Sequence, residues 1–543
     1  MNVIQINQDF FKHDAQAGGF FPNTHTNLIL DIEKFISTTG QNYLVEGIRG
    51  TGKTHILKMI SNKCLAEYNS NKILPVYISL ASVSQWMEKD MVSFRLHLYS
   101  TIVKSTIEII EFKREIIELS GNSEALKAIK KLAQMFGFNK EENFNNLIKE
   151  IKKFTQELLN QLTYNVNEQL IKEIKEEMSG VSGEVGYNSV KAGAKYDEKN
   201  LFSKELKFVG KNLSHEDAAS FIIQFFKELK QIFNLDYTYI LIDECSEVSK
   251  EAQIEVFRLL KLIRGAFNND IHVNPIYFCA TVYPAPITYY PSKLKGDSFN
   301  FEMGHDAVVE YLDLDELDEE YLDFFREITN KRLKEFIHND EINNYLDIFE
   351  NEKVFILAAY LSNGNIRRYI EILKHAYDNL KQKVNLMTNG KFANKKGIST
   401  KDIEEAVYSI VNDQILSFNR LSQDDLQLLH EIIFKISKRN KKIETENISK
   451  GKKIPANVYF TISRLHAMKY GNLIMQGALH DKGRTRRRKY HIKDGVRGLL
   501  YMLDLSVAFN ESAINRMRAN EIFTKDLKVN AKSGYLYCQD IEI

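Results

Sequence analysis

Five short runs rich in β-branched and aromatic residues punctuate the chain: Asn42–Glu46, Leu74–Leu80, Tyr237–Asp243, Pro275–Thr281 and Ala307–Leu312. Each is apolar almost throughout and only five to seven residues long, which predicts buried strands of a parallel sheet. Between them apolar residues recur every three or four positions. In Glu251–Ile263, for instance, Ile254, Phe257, Leu260 and Leu262 or Ile263 share one face, with Arg258, Lys261 and Arg264 interleaved. Strands alternating with helices predict a three-layer α/β sandwich.

The alternation has one interruption. About 150 residues separate the second strand from the third, far more than such a connection needs. The excess, about 107–214, reads as a large, mostly helical insertion with helical patterns over Lys127–Met135, Phe144–Leu162 and Glu168–Glu177. Within it Ser179–Lys195 is glycine-punctuated and alternating. It suits a mobile surface loop or a partner-contacting hairpin better than a helix. Helical patterns resume from Asp318 to about Gln382, and Thr388–Gly397 reads as a linker.

From Leu421 the pattern changes to that of a winged helix-turn-helix. Leu421-Ser422-Gln423-Asp424-Asp425 opens a first helix with a capping signature, a short second helix covers Glu444–Ser449, and Pro455 starts a third, with Val458, Ile462 and Leu465 on its core face. Leu473–Leu479 and Arg487–Ile492 supply the two strands of the wing. The expected organisation is therefore 1–317 for the α/β domain with its insertion at 107–214, and 318–385 for a helical lid. A linker and helix over 386–418, a winged helix-turn-helix domain over 419–505 and a tail over 506–543 complete it.

Composition narrows the function classes. A chain of 543 residues is long enough for two or three cores, and 44% apolar content is that of a globular protein rather than a disordered one. Net charge is +1, so any nucleic-acid surface must be local. Cys64, Cys245, Cys279 and Cys538 lack metal-ligand spacing and read as core thiols of a reducing compartment. Met1–Ile6 shows no secretory pattern, and no run reaches the ~18 apolar residues a membrane span needs. The expectation is a cytoplasmic protein without a membrane partner.

The strongest chemical signal follows the first strand. Gly47-Ile48-Arg49-Gly50-Thr51-Gly52-Lys53-Thr54-His55 is a phosphate-binding loop running into a helix. Its glycines let backbone N–H groups face a phosphate, and the helix N-terminus adds partial positive charge. Lys53 would reach the β- and γ-phosphates of ATP and Thr54 would ligate Mg2+. The third strand ends in Asp243-Glu244. Adjacent acids closing a buried run need a counter-charge; Asp243 would hold the metal through water and Glu244 would orient and deprotonate the attacking water. Thr281 closes the fourth strand with a hydroxyl, and resemblance to additional-strand P-loop ATPases, where a polar residue there senses the γ-phosphate, makes it the candidate sensor. In Ser362-Asn363-Gly364-Asn365-Ile366-Arg367-Arg368 a turn caps a helix that opens with two arginines. Cations there oppose the helix dipole, which a bound anion would explain.

These motifs, in this order, resemble those of AAA+ ATPases, and Gly364-Asn365-Ile366-Arg367-Arg368 looks like the second sensor of the origin-recognition and helicase-loader clade. The resemblance covers about residues 20–380 without the insertion. It implies that Arg367 faces the γ-phosphate, that Phe20–Ile36 covers the adenine, and that a winged helix follows the ATPase. The chain departs from the clade in the size of the insertion. It also lacks a clear arginine finger: Tyr289-Tyr290-Pro291-Ser292-Lys293 stands where one is sought, with Arg258 and Arg264 as substitutes.

Six basic residues crowd Lys482, Arg484, Arg486, Arg487, Arg488 and Lys489, with Lys452, Lys453 and Arg464 nearby. Such clustering in a near-neutral chain suits the phosphates of double-stranded DNA, a protein-docking winged helix or a solvated loop. Three functions compete: a DNA-binding ATPase whose nucleotide state controls its grip or its assembly, a signalling switch ATPase that docks a protein partner through the insertion or winged helix, and a DNA adaptor of a mobile element. Without a finger, fast turnover is expected to need a partner ATPase subunit or DNA; a homo-oligomer is the other assembly to consider.

Overall fold

The structure is a computed structural model. It describes residues 6–28, 30–36, 40–83, 85–138, 143–163, 168–178, 194–215, 217–265, 274–285, 287–312, 314–337, 344–386, 397–417, 419–451, 453–463, 467–482, 490–491 and 497–532. The five expected strands are β1 (Tyr43–Glu46), β2 (Ile73–Ser79), β3 (Tyr237–Asp243), β4 (Ile276–Val282) and β5 (Val308–Tyr311). They form one parallel sheet in the order β2-β3-β4-β1-β5. Every residue of β1, β3 and β4 is buried, which is why these segments read as continuous apolar runs rather than alternating ones.

Alternate residues serve opposite faces. Tyr43, Val45, Tyr239, Leu241 and Cys279 pack on one face with Ile56, Leu57, Ile60 and Cys64 of α1 (Lys53–Ala66). Leu44, Val76, Ile78, Ile240, Ile242 and Phe278 pack on the other against α2 (Met91–Phe112) and the helices Ala218–Phe233 and Lys250–Gly265. A period of two along each strand thus builds the three layers. Cys64, Cys245 and Cys279 are buried free thiols; Cys538 lies outside the described residues.

The insertion forms the helices Ser123–Met135, Phe144–Thr163, Glu168–Met178 and Ala194–Ser214. It is not a separately cored subdomain. Leu132, Phe136, Ile151, Phe154, Leu158 and Val209 belong to the same apolar cluster as Val76, Ile78 and Ile240 of the sheet. Helix α2 makes this possible, because it runs 22 residues and carries the core outward from the sheet. Of the glycine-rich stretch Ser179–Lys195, all but Ala194 and Lys195 lies outside the described residues, as does most of the linker 388–397.

The region after β5 departs most from expectation. A third apolar cluster joins the lid helices Tyr321–Phe336, Glu352–Leu361 and Ile366–Leu386 to buried residues spread from Ile398 to Leu527. The expected tail from Ser506 is part of it: Val507, Ile514, Ile522, Phe523 and Leu527 are buried. The expected short helix Glu444–Ser449 is instead the end of one 28-residue helix, Gln423–Lys450, capped by a Ser422–Asp425 box and stopped at Gly451 with φ 61°. The helix expected from Pro455 is a strand, β6 (Tyr459–Ser463), antiparallel to β9 (Arg497–Leu503). Pro455 to Ile462 is buried throughout, so Val458 and Ile462 belong to a continuous buried run; Leu465 lies outside the described residues. The β-branched and aromatic content of that run favours the ladder. The expected strand Leu473–Leu479 begins as the short helix Gly471–Met475, turns at Gly477 and becomes β7 (Leu479–Asp481), which pairs with β9. Of Arg487–Ile492, only β8 (Tyr490–His491) is described, and it pairs with β9 as well.

Candidate functional site

The carboxyl ends of β1, β3 and β4 open beneath the lid, where ligands gather in open α/β sheets. A cleft of about 260 Å3 lies there. It is lined by the loop 13–30, the loop Arg49–His55, Asp243, Glu244, Thr281 and the lid residues Phe324, Ile328, Arg332, Ile366, Arg367 and Ile370. Residues scattered from position 13 to position 370 therefore share one wall.

The loop between β1 and α1 is built by glycine. Gly50 and Gly52 take φ 89° and 95°, which residues with a Cβ rarely adopt. A Cβ on Gly50 would also lie 2.4 Å from Asn365 Oδ1. The Gly47 N–H donates to the Val282 carbonyl at 3.2 Å, and the Thr51 hydroxyl closes the turn on the Ile48 carbonyl at 2.9 Å. Lys53 folds back over this loop. Its amine donates to the carbonyls of Gly47 at 2.7 Å and Ile48 at 2.9 Å, and lies 4.2 Å from the centre of the Tyr283 ring. Burial lowers its pKa to about 7, although Asp243 and Glu247 pull the other way. Its hydrogen bonds go to two neutral carbonyls, so the cation is not paired directly with an acid. Thr54 follows in the first turn of α1 and lines the same cleft.

Asp243 is buried at the end of β3. Its Oδ2 accepts from the Tyr77 hydroxyl at 3.0 Å, and its Oδ1 accepts from the Thr281 hydroxyl at 2.6 Å and the Glu244 N–H at 3.0 Å. All three donors are neutral, so the carboxylate keeps its charge available for a cation. Glu244 sits at φ 63°, a costly left-handed conformation for a residue with a Cβ. Its N–H also donates to Thr281 Oγ1 at 3.0 Å, and its carboxylate accepts from Ser79 Oγ at 2.6 Å. Parallel register explains the grouping: Ser79 stands beside Asp243 and Ile242 beside Ala280, so the three strand ends lie level. Tyr77 and Ser79 were missed from sequence. Their signal is weak: two polar side chains, two residues apart, at the end of a buried strand.

The far end of the cleft is aromatic. The rings of His25 and His55 stack with centroids 5.3 Å apart, and Phe20 lies 5.4 Å from His55. Burial, reinforced by His25 and Arg332, lowers the His55 pKa to about 3, so the platform is neutral at physiological pH. Buried Arg332 of the lid ties down the N-terminal segment through the Phe10 and Lys12 carbonyls, with Nε–O 2.7 Å to Phe10. Gly19, Thr24, His25, Thr26 and Leu30 thereby line the cleft, within or beside the segment Phe20–Ile36 expected over a base.

The two arginines of the lid turn separate. Arg367 faces the cleft. Its backbone N–H donates to the Gly50 carbonyl at 3.2 Å, and its buried Nε has no hydrogen-bond partner among the described residues. Arg368 turns away and buries its guanidinium against Asp504, Ser506 and the Gly477 carbonyl. That partner was invisible in sequence. Asn365 bridges the turn to the phosphate loop, its Nδ2 donating to the Arg49 carbonyl at 2.7 Å.

The basic C-terminal residues divide as well. Lys482 is buried, with its amine on the Glu316 carboxylate, which also accepts from the Tyr459 hydroxyl at 2.8 Å. It is an internal ion pair rather than a surface contact for DNA, which corrects the sequence expectation. Lys453 is exposed. Lys452, Arg464, Arg484, Arg486, Arg487, Arg488 and Lys489 lie outside the described residues. The substitute arginine fingers are engaged internally: Arg264 pairs with buried Asp306 at 2.5 Å, and Arg258 reaches Glu255 at 3.8 Å and Ser298 at 3.4 Å. Among the described residues no helix is long and apolar enough to cross a membrane.

No curated protein matches the chain. Among solved structures it is similar to the Aeropyrum pernix ORC1 protein in complex with DNA, at 11% identity and a TM-score of 0.32 over 92% of each chain. It is similar also to the Aeropyrum pernix ORC2 protein in ADPNP-ADP complexes, at 12% identity and a TM-score of 0.35, over 91% of this chain and 88% of that one. The ORC-CDC6-like family model matches residues 30–358, the span that holds the phosphate loop, the acids of β3 and the start of the lid, and the chain belongs to the ORC-CDC6-like family of AAA+ ATPases.

Proposed function

We propose that this chain binds ATP with Mg2+ in the cleft, hydrolyses it, and grips duplex DNA through its basic C-terminal region, with nucleotide state controlling that grip or its assembly. One observation carries the nucleotide half: Lys53, Asp243, Glu244, Thr281 and Arg367, from four separate parts of the chain, line a single cleft. Lys53 would take the β- and γ-phosphates, the loop Gly47–His55 would cradle them, and Thr54 and Asp243 would hold the metal. Bound Mg2+ supplies charge neutralisation of the phosphates. Glu244 would orient and deprotonate water while Thr281 keeps both acids in place, and Arg367 would stabilise charge on the γ-phosphate. Loss of nucleotide binding in Lys53→Ala, and retained binding without turnover in Glu244→Gln, are the expected results. Undiminished turnover in Glu244→Gln rejects the base assignment.

For DNA, the supporting facts are family membership and the charge of residues 484–489 between β7 and β8. We read the C-terminal unit as a winged helix, with Lys452, Lys453, Arg464 and the arginine-rich tip at the phosphates. Duplex binding across salt tests it. Changing Arg484, Arg486, Arg487 and Arg488 to Ala should flatten the log–log salt slope by up to about 0.9 per lost phosphate contact. Equal binding by wild type and variant rejects the tip as the contact.

A specific observation favours a second reading. Arg258 and Arg264 are committed to internal partners, so the chain offers no spare arginine on that helix to speed hydrolysis. Fast turnover then depends on a partner ATPase subunit or on DNA, and alone the protein is a slow switch whose insertion or C-terminal unit docks a protein. Turnover that does not rise with protein concentration or with DNA speaks for the switch.

A further inference from the structure

The turn Ser362–Asn365 and the first turn of the following helix are gripped from both sides. On the phosphate-loop side, Asn365 Nδ2 donates to the Arg49 carbonyl at 2.7 Å, and the Arg367 N–H donates to the Gly50 carbonyl at 3.2 Å. On the opposite side, Asn363 Oδ1 accepts from the Leu505 N–H at 2.6 Å, and the Arg368 guanidinium pairs with Asp504. Asp504 is fully buried and itself rigidly held. Its Oδ1 caps the helix Leu505–Asn510 through the N–H groups of Ser506 and Val507, at 3.0 and 3.1 Å, and its Oδ2 meets His480 Nε2 at 2.9 Å. The contact admits little play, because a Cβ on Gly477 would lie 2.9 Å from the Arg368 guanidinium.

We propose that Asp504, in the C-terminal region and more than a hundred residues from any residue that lines the cleft, is a positioning residue for the nucleotide site. By anchoring Arg368 it fixes the neighbouring Arg367 and Asn365 against the phosphate loop. The two arginines are consecutive on one helical turn, so they point in different directions and move as one body. Any shift of Arg367 toward a γ-phosphate must pull on Asp504 and hence on β9 and the helix it caps. Coupling of this kind is reciprocal: what ATP does to the C-terminal sheet, the seating of that sheet does to ATP. The proposal rests on the nucleotide reading of the cleft and adds which residue outside the ATPase sheet tunes it.

The test uses the full-length chain, with ATP and ADP affinities measured separately, because only ATP offers the γ-phosphate that Arg367 would meet. Asp504→Asn keeps the size and the helix cap but removes the charge. It is expected to weaken ATP binding roughly 10-fold while leaving ADP binding nearly as it was. Arg368→Gln should do the same, and the double variant should be no worse than either single one. An ATP-to-ADP ratio unchanged in a folded Asp504→Asn variant overturns the proposal. Hydrogen exchange on the wild type needs no substitution: ATP, and not ADP, should further slow the amides of Leu505, Ser506 and Val507. Equal exchange with the two nucleotides also overturns it. If the wild type binds neither ATP nor ADP, the reading of the cleft itself falls.

Discussion

The Thr281 hydroxyl donates to Asp243 Oδ1 at 2.6 Å while accepting the Glu244 N–H at 3.0 Å. One buried hydroxyl at the end of β4 thus holds both acids of β3, one by its side chain and one by its backbone. Hydrogen bonds to charged groups contribute about 1.5–3 kcal/mol. Thr281→Val keeps the shape and loses the bonds. It should lower kcat for ATP by roughly 10- to 100-fold with little change in nucleotide affinity. Thr281→Ser should restore most of the rate. Steady-state hydrolysis alongside equilibrium binding separates the two effects.

Lys53 makes the site sensitive to pH in a definite direction. Its pKa in the folded protein is lowered to about 7, against ~10.4 for an unfolded lysine. Between those values the unfolded chain binds more protons, so stability rises with pH through that window; below it both states are protonated and the cost of the buried charge is fully present. Phosphate would restore the charge. Nucleotide binding at pH ~8 should therefore take up close to one proton, and at pH ~6 almost none. Calorimetry in buffers of different ionisation enthalpy reads this directly, and equal proton uptake at the two pH values contradicts the lowered pKa.

Lys482 and the arginines beyond it should respond oppositely to substitution. Removing one partner of a buried pair typically costs about 3–5 kcal/mol. Lys482→Met leaves Glu316 with the Tyr459 hydroxyl and no cation, so it should lower the melting temperature sharply. Changing Arg484, Arg486, Arg487 and Arg488 should alter salt-dependent DNA binding with little thermal effect. A Lys482 variant as stable as the wild type contradicts the internal role.

The insertion should melt with the sheet. Phe154 and Leu158 share a core with Val76 and Ile78. Phe154→Ala, at a cost of about 3–5 kcal/mol, should lower the same calorimetric transition that Val76→Ala lowers. An insertion that unfolds in its own earlier step, leaving nucleotide binding intact, shows that the core is divided.

The sequence alone determined what depends on near neighbours. The loop Gly47–His55 was legible because phosphate binding needs glycines, a lysine and a hydroxyl at fixed offsets between a strand and a helix. The sheet was legible because burial on both faces leaves an unbroken apolar run, and Asp243-Glu244 stood out because acids are expensive at the end of one. Tertiary structure alone decided what depends on distant partners. Ser79 and Tyr77 join the acids only through strand register, and Lys482 looked like the edge of a basic tip until Glu316, 166 positions away, proved to be its partner. Pro455–Ile462 became a strand because β9 was there to pair with it, a competition that a short apolar run cannot settle for itself. Arg367 and Arg368 are indistinguishable as neighbours in a helix. Only the packing of the phosphate loop on one side and Asp504 on the other gives them separate work.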